Sequence, residues 1–175
     1  PYMNCGECYA CKKGATNCCE SLEVIGVHKD GGMCERLVLP ARKLHPSEKL
    51  TMEHLALVET LAIGCNCVNR SASSSGDKVL VIGAGPIGMA AIEFLKVAKT
   101  EITVMDMNET RLQFCKEKLG VDHTVVFKND GTEADRLREV NGGELPITVI
   151  DATGSHVSMS NAFQYVSFTG QVLYV

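Results

Sequence analysis

Lys78-Val79-Leu80-Val81-Ile82-Gly83-Ala84-Gly85-Pro86-Ile87-Gly88 is the stretch whose reading decides the fold. Its first half is a short apolar run without alternation, which suits a strand buried on both faces of a parallel sheet. Its second half is G-x-G-x-x-G, and Met89 to Lys96 continues as a helical pattern. Gly83 permits the tight turn out of the strand, Gly85 lets backbone approach a pyrophosphate, and Gly88 lets helix pack on strand. The helix start then offers free N–H groups and a positive dipole end to phosphates. Glu101 to Val104 reads as a second strand leading to Asp106, eighteen residues past Gly88. A carboxylate there can accept from the ribose hydroxyls of an adenosine. A 2′-phosphate against Asp106 would oppose two anions, and no Arg or Lys lies between Asp106 and Arg111, so NAD is favoured over NADP.

The totals narrow the field. A chain of 175 residues with a net charge of −4 and a pI near 5.7 speaks against nucleic-acid or anionic-membrane partners. No apolar run is long enough to span a bilayer, and no signal peptide is recognised. Nine cysteines is a high and odd number; beside a nucleotide-binding fold, clustered cysteines point to a metal and a reducing, cytoplasmic compartment. The start at Pro1 and the closing apolar strand Gln171–Val175 lead to the expectation of an internal piece of a longer protein.

Upstream, Cys5-x2-Cys8-x2-Cys11-x7-Cys19 can turn four thiolates toward one centre. Four sulfurs at about 2.3 Å suit a closed, structural zinc site. Cys18 or Cys19 could complete it; Cys19 is taken, with Cys18 a free thiol. A disulfide-knotted loop is the alternative. Leu22–Val27 and Met33–Leu39 read as strands around the turn Lys29-Asp30-Gly31-Gly32, with Cys34 a small side chain in the second. Residues 51–69 read as a helix capped by Thr51. Within it Glu59 has Leu55, Ala56, Ala62 and Ile63 at helical spacing, so it lies on an exposed stripe, pairs with a distant Arg, or meets a cation. Cys65 and Cys67 face different ways and read as small core residues.

Ala72 to Asp77 is a linker. Beyond the fingerprint the pattern predicts a helix over Glu109–Leu119 ended by Gly120, a third strand over His123–Phe127, and a short helix over Thr132–Val140. A fourth strand over Ile147–Asp151, a helix over Ser155–Ser167 and a last strand follow. The turn Asp151-Ala152-Thr153-Gly154 is expected to place Thr153 and Gly154 in the nicotinamide half of the crevice. The sum is α/β: a Rossmann doubly wound parallel sheet with five of six strands, preceded by a β-rich region with a zinc lobe.

These motifs together resemble the zinc-dependent medium-chain alcohol and polyol dehydrogenases. The likeness rests on Cys5-Gly6-x-Cys8-x2-Cys11-x7-Cys19, Asp30–Met33, Val38–Arg42, Ala56-Leu57-Val58-Glu59-Thr60-Leu61 and Val81–Gly88, in family order. It is closest to the branch of sorbitol, threonine and sugar-acid dehydrogenases. The resemblance implies a partial GroES-like catalytic domain over 1–70, its zinc lobe in 1–20, and an NAD-binding domain over 71–175. It implies structural zinc on Cys5, Cys8, Cys11 and Cys19, and Glu59 facing a catalytic zinc whose other ligands lie upstream. Cofactor contacts fall at Gly83, Gly85, Pro86, Ile87, Gly88, Asp106, Arg111, Thr153 and Gly154. The implied reaction is hydride transfer from a secondary alcohol, a polyol or sugar acid, to NAD, with zinc lowering the pKa of the substrate hydroxyl. A homodimer or homotetramer is the implied assembly.

Two rivals stand beside this. A zinc-free, nucleotide-binding reductase of the same fold would leave the cysteine cluster and Glu59 without use. A non-catalytic zinc module binding nucleic acid is opposed by the acidic pI and the lack of an aromatic–basic patch.

Overall fold

A computed structural model describes residues 1–175, which divide into two compact units, Pro1–Lys49 and Leu50–Val175. In the first, β1 (Tyr2–Met3) pairs antiparallel with β2 (Glu23–Val24), and one helical turn, α1 (Tyr9–Lys12), lies between them. The remainder is turns and loop. The strands expected over Leu22–Val27 and Met33–Leu39 are reduced to these two residues of β2. A strand needs a neighbour to take its N–H and C=O groups, and only Tyr2–Met3 supplies one. Met33 and Val38 are fully exposed, and Cys34 sits in a turn, its thiol donating to the Arg36 carbonyl at 3.2 Å.

The second unit opens with α2 (Met52–Ser71), whose cap Thr51 accepts from the His54 N–H at 3.3 Å. It continues through β3 (Lys78–Ile82), α3 (Pro86–Ala98), β4 (Glu101–Asp106) and α4 (Glu109–Phe114), which runs on as a π-helical turn to Leu119. Gly120 stops it in the left-handed conformation, φ +66°. After β5 (His123–Val126) come α5 (Glu133–Val140), β6 (Thr148–Asp151), α6 (His156–Asn161) and β7 (Gln171–Tyr174). The helix expected over Ser155–Ser167 is shorter, giving way to a 3₁₀ turn at Ala162–Gln164, because Ser and Asn compete with helical bonding through their own side chains.

All five strands are parallel, in the order β5-β4-β3-β6-β7. Val79 and Val81 point to the face covered by α2 and α3, with Ile92, Leu95 and Leu112. Leu80 and Ile82 point to the other, with Leu137 and Tyr165. This is why the first strand shows no polar alternation: both faces are dry. Each such aliphatic side chain contributes about 1.5–3 kcal/mol on burial. Gly64 lets α2 lie against α3, since a Cβ there would come within 2.5 Å of the Ala90 carbonyl carbon. The sequence places a division at 70/71; the compact units divide at Lys49/Leu50, because α2 packs its buried Gly64, Cys67 and Val68 onto the sheet domain. No helix is long and apolar enough to cross a membrane.

Candidate functional site

The register sets Ile82 opposite both Met105 and Asp151, so the carboxyl ends of β3, β4 and β6 are level. β4 and β6 lie on opposite sides of β3, which makes this end the topological switch point where such sheets bind ligands. A cavity of about 630 Å³ lies there, lined among others by Gly83, Gly85, Asp106, Arg111, Phe127 and Thr153.

The fingerprint glycines differ in what lies beside them. Gly83 is at φ +99°, and a Cβ on it would meet Thr153 Cγ2 at 3.0 Å. Gly88 is more demanding, because its Cβ would fall 1.9 Å from the Gly83 carbonyl oxygen. Gly85, the N-cap of α3, has no protein atom within 4 Å of where a Cβ would stand. Packing therefore does not require Gly85 to lack a side chain, whereas an approaching phosphate would. Pro86 occupies the first turn of α3, which carries no acidic residue; Ile87 and Gly88 follow it, so no side-chain carboxylate within that turn opposes the helix dipole.

Asp106 stands at the end of β4 beside that loop. Its Oδ2 accepts from the Ala84 N–H at 2.7 Å and its Oδ1 from the Asn108 N–H at 2.8 Å. The carboxylate is thus fixed by the loop it serves, with lone pairs left toward the cavity. Arg111, one turn into α4, lines the same cavity and takes part in no ion pair. Thr153 lines the same cavity as Asp106. Gly154 is exposed and lies off its lining. The turn holding Thr153 is set by buried Asp151, whose carboxylate accepts from the Thr153 N–H and hydroxyl at 2.9 and 2.6 Å and from the Ser158 hydroxyl at 2.6 Å. Phe127 and Asn129 complete the far wall. Sequence reasoning passed over both, although their place after a strand's carboxyl end was the available signal.

In the first unit, the ligand atoms of Cys5, Cys8, Cys11 and Cys19 all lie within 4.8 Å of one another. The sulfurs of Cys5 and Cys19 are 3.5 Å apart. A tetrahedron with sulfur at about 2.3 Å from zinc has edges of about 3.8 Å, so this set fits that ion. Cys18 is exposed and outside the group, and no disulfide forms. Backbone N–H groups of Glu7 and Cys8 reach Cys5 Sγ at 3.5 and 3.4 Å and hold its pKa below the usual thiol value. The N–H groups of Cys11 and then Glu20 lower Cys8 to about 6. The Cys5 N–H pulls Cys19 down, but burial and the Cys5 and Cys11 side chains outweigh it and raise Cys19 to about 11. The four donors are thus already gathered, with Cys5 and Cys8 eased toward the thiolate and Cys19 favoured as the thiol until a metal displaces its proton.

Glu59 is exposed on α2, forms no salt bridge, and is not gathered with other possible metal ligands. Of the three readings open to it, the exposed stripe is the one observed, and no Arg pairs with it. Cys67 is buried and its thiol is pushed up to about 11 by desolvation, as expected of a small core residue; Cys65 is half-buried.

A four-sulfur lobe followed by a doubly wound sheet with an acid-anchored glycine loop defines the class: a metal-lobed, dinucleotide-binding α/β protein. Residues 86–175 match the zinc-binding dehydrogenase family and residues 1–49 match the alcohol dehydrogenase GroES-like domain. The chain belongs to the zinc-binding dehydrogenase family. It is 40% identical over 174 residues, 98% of its length, to an uncharacterized zinc-type alcohol dehydrogenase-like protein of Haemophilus influenzae, covering 50% of that protein. It is 38% identical over its whole length to L-galactonate-5-dehydrogenase of Escherichia coli, covering 51% of it. Among solved structures, an Escherichia coli alcohol dehydrogenase complexed with NADH superposes with a TM-score of 0.87 at 31% identity, over 99% of this chain and 51% of that one. The chain spans about half the length of the curated relatives it matches.

Proposed function

We propose that the protein carrying this chain is an NAD-dependent zinc dehydrogenase that oxidises a secondary alcohol of the polyol or sugar-acid class. The observation that carries this reading is the Asp106 carboxylate bonded to the Ala84 N–H, which joins the acid to the glycine loop within one cavity. The L-galactonate relative supports the substrate class, and the NADH complex of the structural neighbour supports the cofactor.

In this reading residues 71–175 are the NAD-binding domain and residues 1–70 part of the catalytic domain. The loop over Gly83, Gly85, Pro86, Ile87 and Gly88 receives the pyrophosphate, which the start of α3 favours electrostatically. Asp106 accepts from the adenosine ribose, and Arg111 and Thr153 flank it, with Gly154 at the end of the turn. Cys5, Cys8, Cys11 and Cys19 hold a structural zinc that orders the lobe. Glu59, unpaired on α2, is the one donor this chain would offer to a catalytic zinc. A bound zinc would supply Lewis-acid polarisation of the alcohol oxygen and a bound NAD a hydride acceptor, with Glu59 toward the one and the glycine loop and Asp106 holding the other. The chain's own part is orientation: fixing the diphosphate and ribose so that the reacting carbons meet. A cytoplasmic homodimer or homotetramer is part of the same proposal.

The test is a screen of polyols and aldonates with NAD⁺, following NADH absorbance, together with metal analysis of the full-length protein. NADH from at least one such alcohol, with one structural and one catalytic zinc per chain, is expected. Zinc-free protein that still binds NAD and oxidises nothing would overturn it.

A further inference from the structure

The loop after β5 supplies Phe127 and Asn129 to the cavity that holds Asp106. What shapes this loop lies behind it. Glu133, at the start of α5, is only 2% exposed. Its Oε1 accepts from the N–H groups of Lys128 and Asp130 at 3.1 and 3.4 Å, and its Oε2 from that of Gly131 at 3.2 Å. Arg136 closes the arrangement: Nη2 donates to Glu133 Oε1 at 2.9 Å and to Asp130 Oδ1 at 3.1 Å, and Nη1 to the Val126 carbonyl at 2.8 Å. The bonds flank Asn129, which is held in the left-handed region at φ +56°, a conformation Asn tolerates but does not prefer. Neither Glu133 nor Arg136 lines the cavity.

A helix start requires only an exposed oxygen acceptor. Burying a full charge there is costly unless it is paired and multiply bonded. Here every bond that the carboxylate accepts outside α5 goes to the 128–131 backbone, so the buried pair specifies one loop shape and does not simply begin a helix. We propose that Glu133 and Arg136 are positioning residues for the adenine half of the cofactor, holding Phe127 and Asn129 in the wall that the base meets. The inference rests on the dinucleotide reading above, since it is the ribose at Asp106 that directs the base toward this wall.

The test uses the full-length protein, with AMP and nicotinamide mononucleotide as separate probes. Glu133→Gln keeps one acceptor oxygen but sets an NH₂ group against backbone donors. It is expected to weaken AMP at least about tenfold and leave nicotinamide mononucleotide unchanged, with KM for NAD raised and kcat kept. Arg136→Lys, which keeps the charge and loses the fork, is expected to do the same and serves if the first variant does not fold. Leu137→Val loosens the core under the same helix; it is expected to lower the melting temperature with AMP affinity intact. Unchanged AMP binding in Glu133→Gln or Arg136→Lys, or an equal loss in Leu137→Val, would overturn the positioning role. Wild-type protein that binds nicotinamide mononucleotide and NAD but not AMP would also overturn it, whereas failure to bind any of the three would remove the dinucleotide reading itself.

Discussion

The two units hold their shape by different means. Leu50–Val175 buries apolar side chains on both faces of a five-stranded sheet, and residues such as Leu80, Ile92 and Val104 are wholly out of water. Pro1–Lys49 has one buried apolar residue, Cys19, and that residue is a member of the sulfur cluster. One region offsets the loss of chain entropy by removing hydrocarbon from water; the other has almost none to remove. A metal bond can substitute for a core in so small a region, because its binding free energy is folding free energy.

The largest effect that would sharpen this contrast comes from the metal. Chelation, or Cys8→Ser, should strip away much of the about 10–16 kcal/mol that a structural zinc supplies in comparable peptides. Hydrogen exchange should then rise sharply over residues 1–24 while the sheet stays protected and NAD affinity holds; a joint collapse of both units would break the comparison. Next comes Gly88→Ala, whose Cβ collides with the Gly83 carbonyl. It should cost about 3 kcal/mol in urea unfolding and abolish NAD binding. Gly64→Ala is opposed in sign: a better helix former by about 1 kcal/mol, but an overpacked one at Ala90. Overpacking of about 1–3 kcal/mol should win, leaving a net loss of up to about 2 kcal/mol in the sheet unit alone.

Asp106→Ala removes a ribose acceptor, a repulsive charge and the anchor of the Ala84 N–H. NAD should weaken about tenfold or more and NADP clearly less, by titration calorimetry; equal losses would reduce Asp106 to a loop anchor. The smallest effect is in pH. Burial pushes Glu133 up, but the N–H groups of Glu133, Lys128 and Asp130 outweigh it and hold the carboxyl below its usual range. A depressed folded pKa gives stability that is complete above the ordinary carboxylate value and lost as pH falls through the lowered one. Glu133→Gln should therefore flatten the acid limb of the stability profile below about pH 4.5, and an unchanged limb would deny the carboxylate this part.

Legibility followed the kind of interaction. The glycine fingerprint, Asp106, the Thr51 cap and the four-cysteine spacing are local patterns, where backbone geometry depends on neighbours a few residues away. The structure has the expected strand, helix and cluster at each. The strands expected over Leu22–Val27 and Met33–Leu39 were misjudged because alternation reports that one face could be buried, not that a partner strand exists. That Thr153 and Asp106 line one cavity was not legible, because a turn's sequence says which strand it follows but not which residues of other strands it faces. Within the helix expected over Thr132–Val140 nothing local marks Glu133 out from Asp135, Arg136, Arg138 and Glu139.

By itself the sequence determined the sheet class, the glycine-rich turn after the first core strand, the acid eighteen residues beyond it and a cysteine spacing that can gather four sulfurs, because short-range sterics leave few alternatives. Only the tertiary structure decided that α2 packs with the sheet domain, that Asp106 is bonded to the loop beside it, and that Glu133 and Arg136 shape the wall opposite. Those outcomes join residues from separate elements, and which elements meet is settled by packing the whole core.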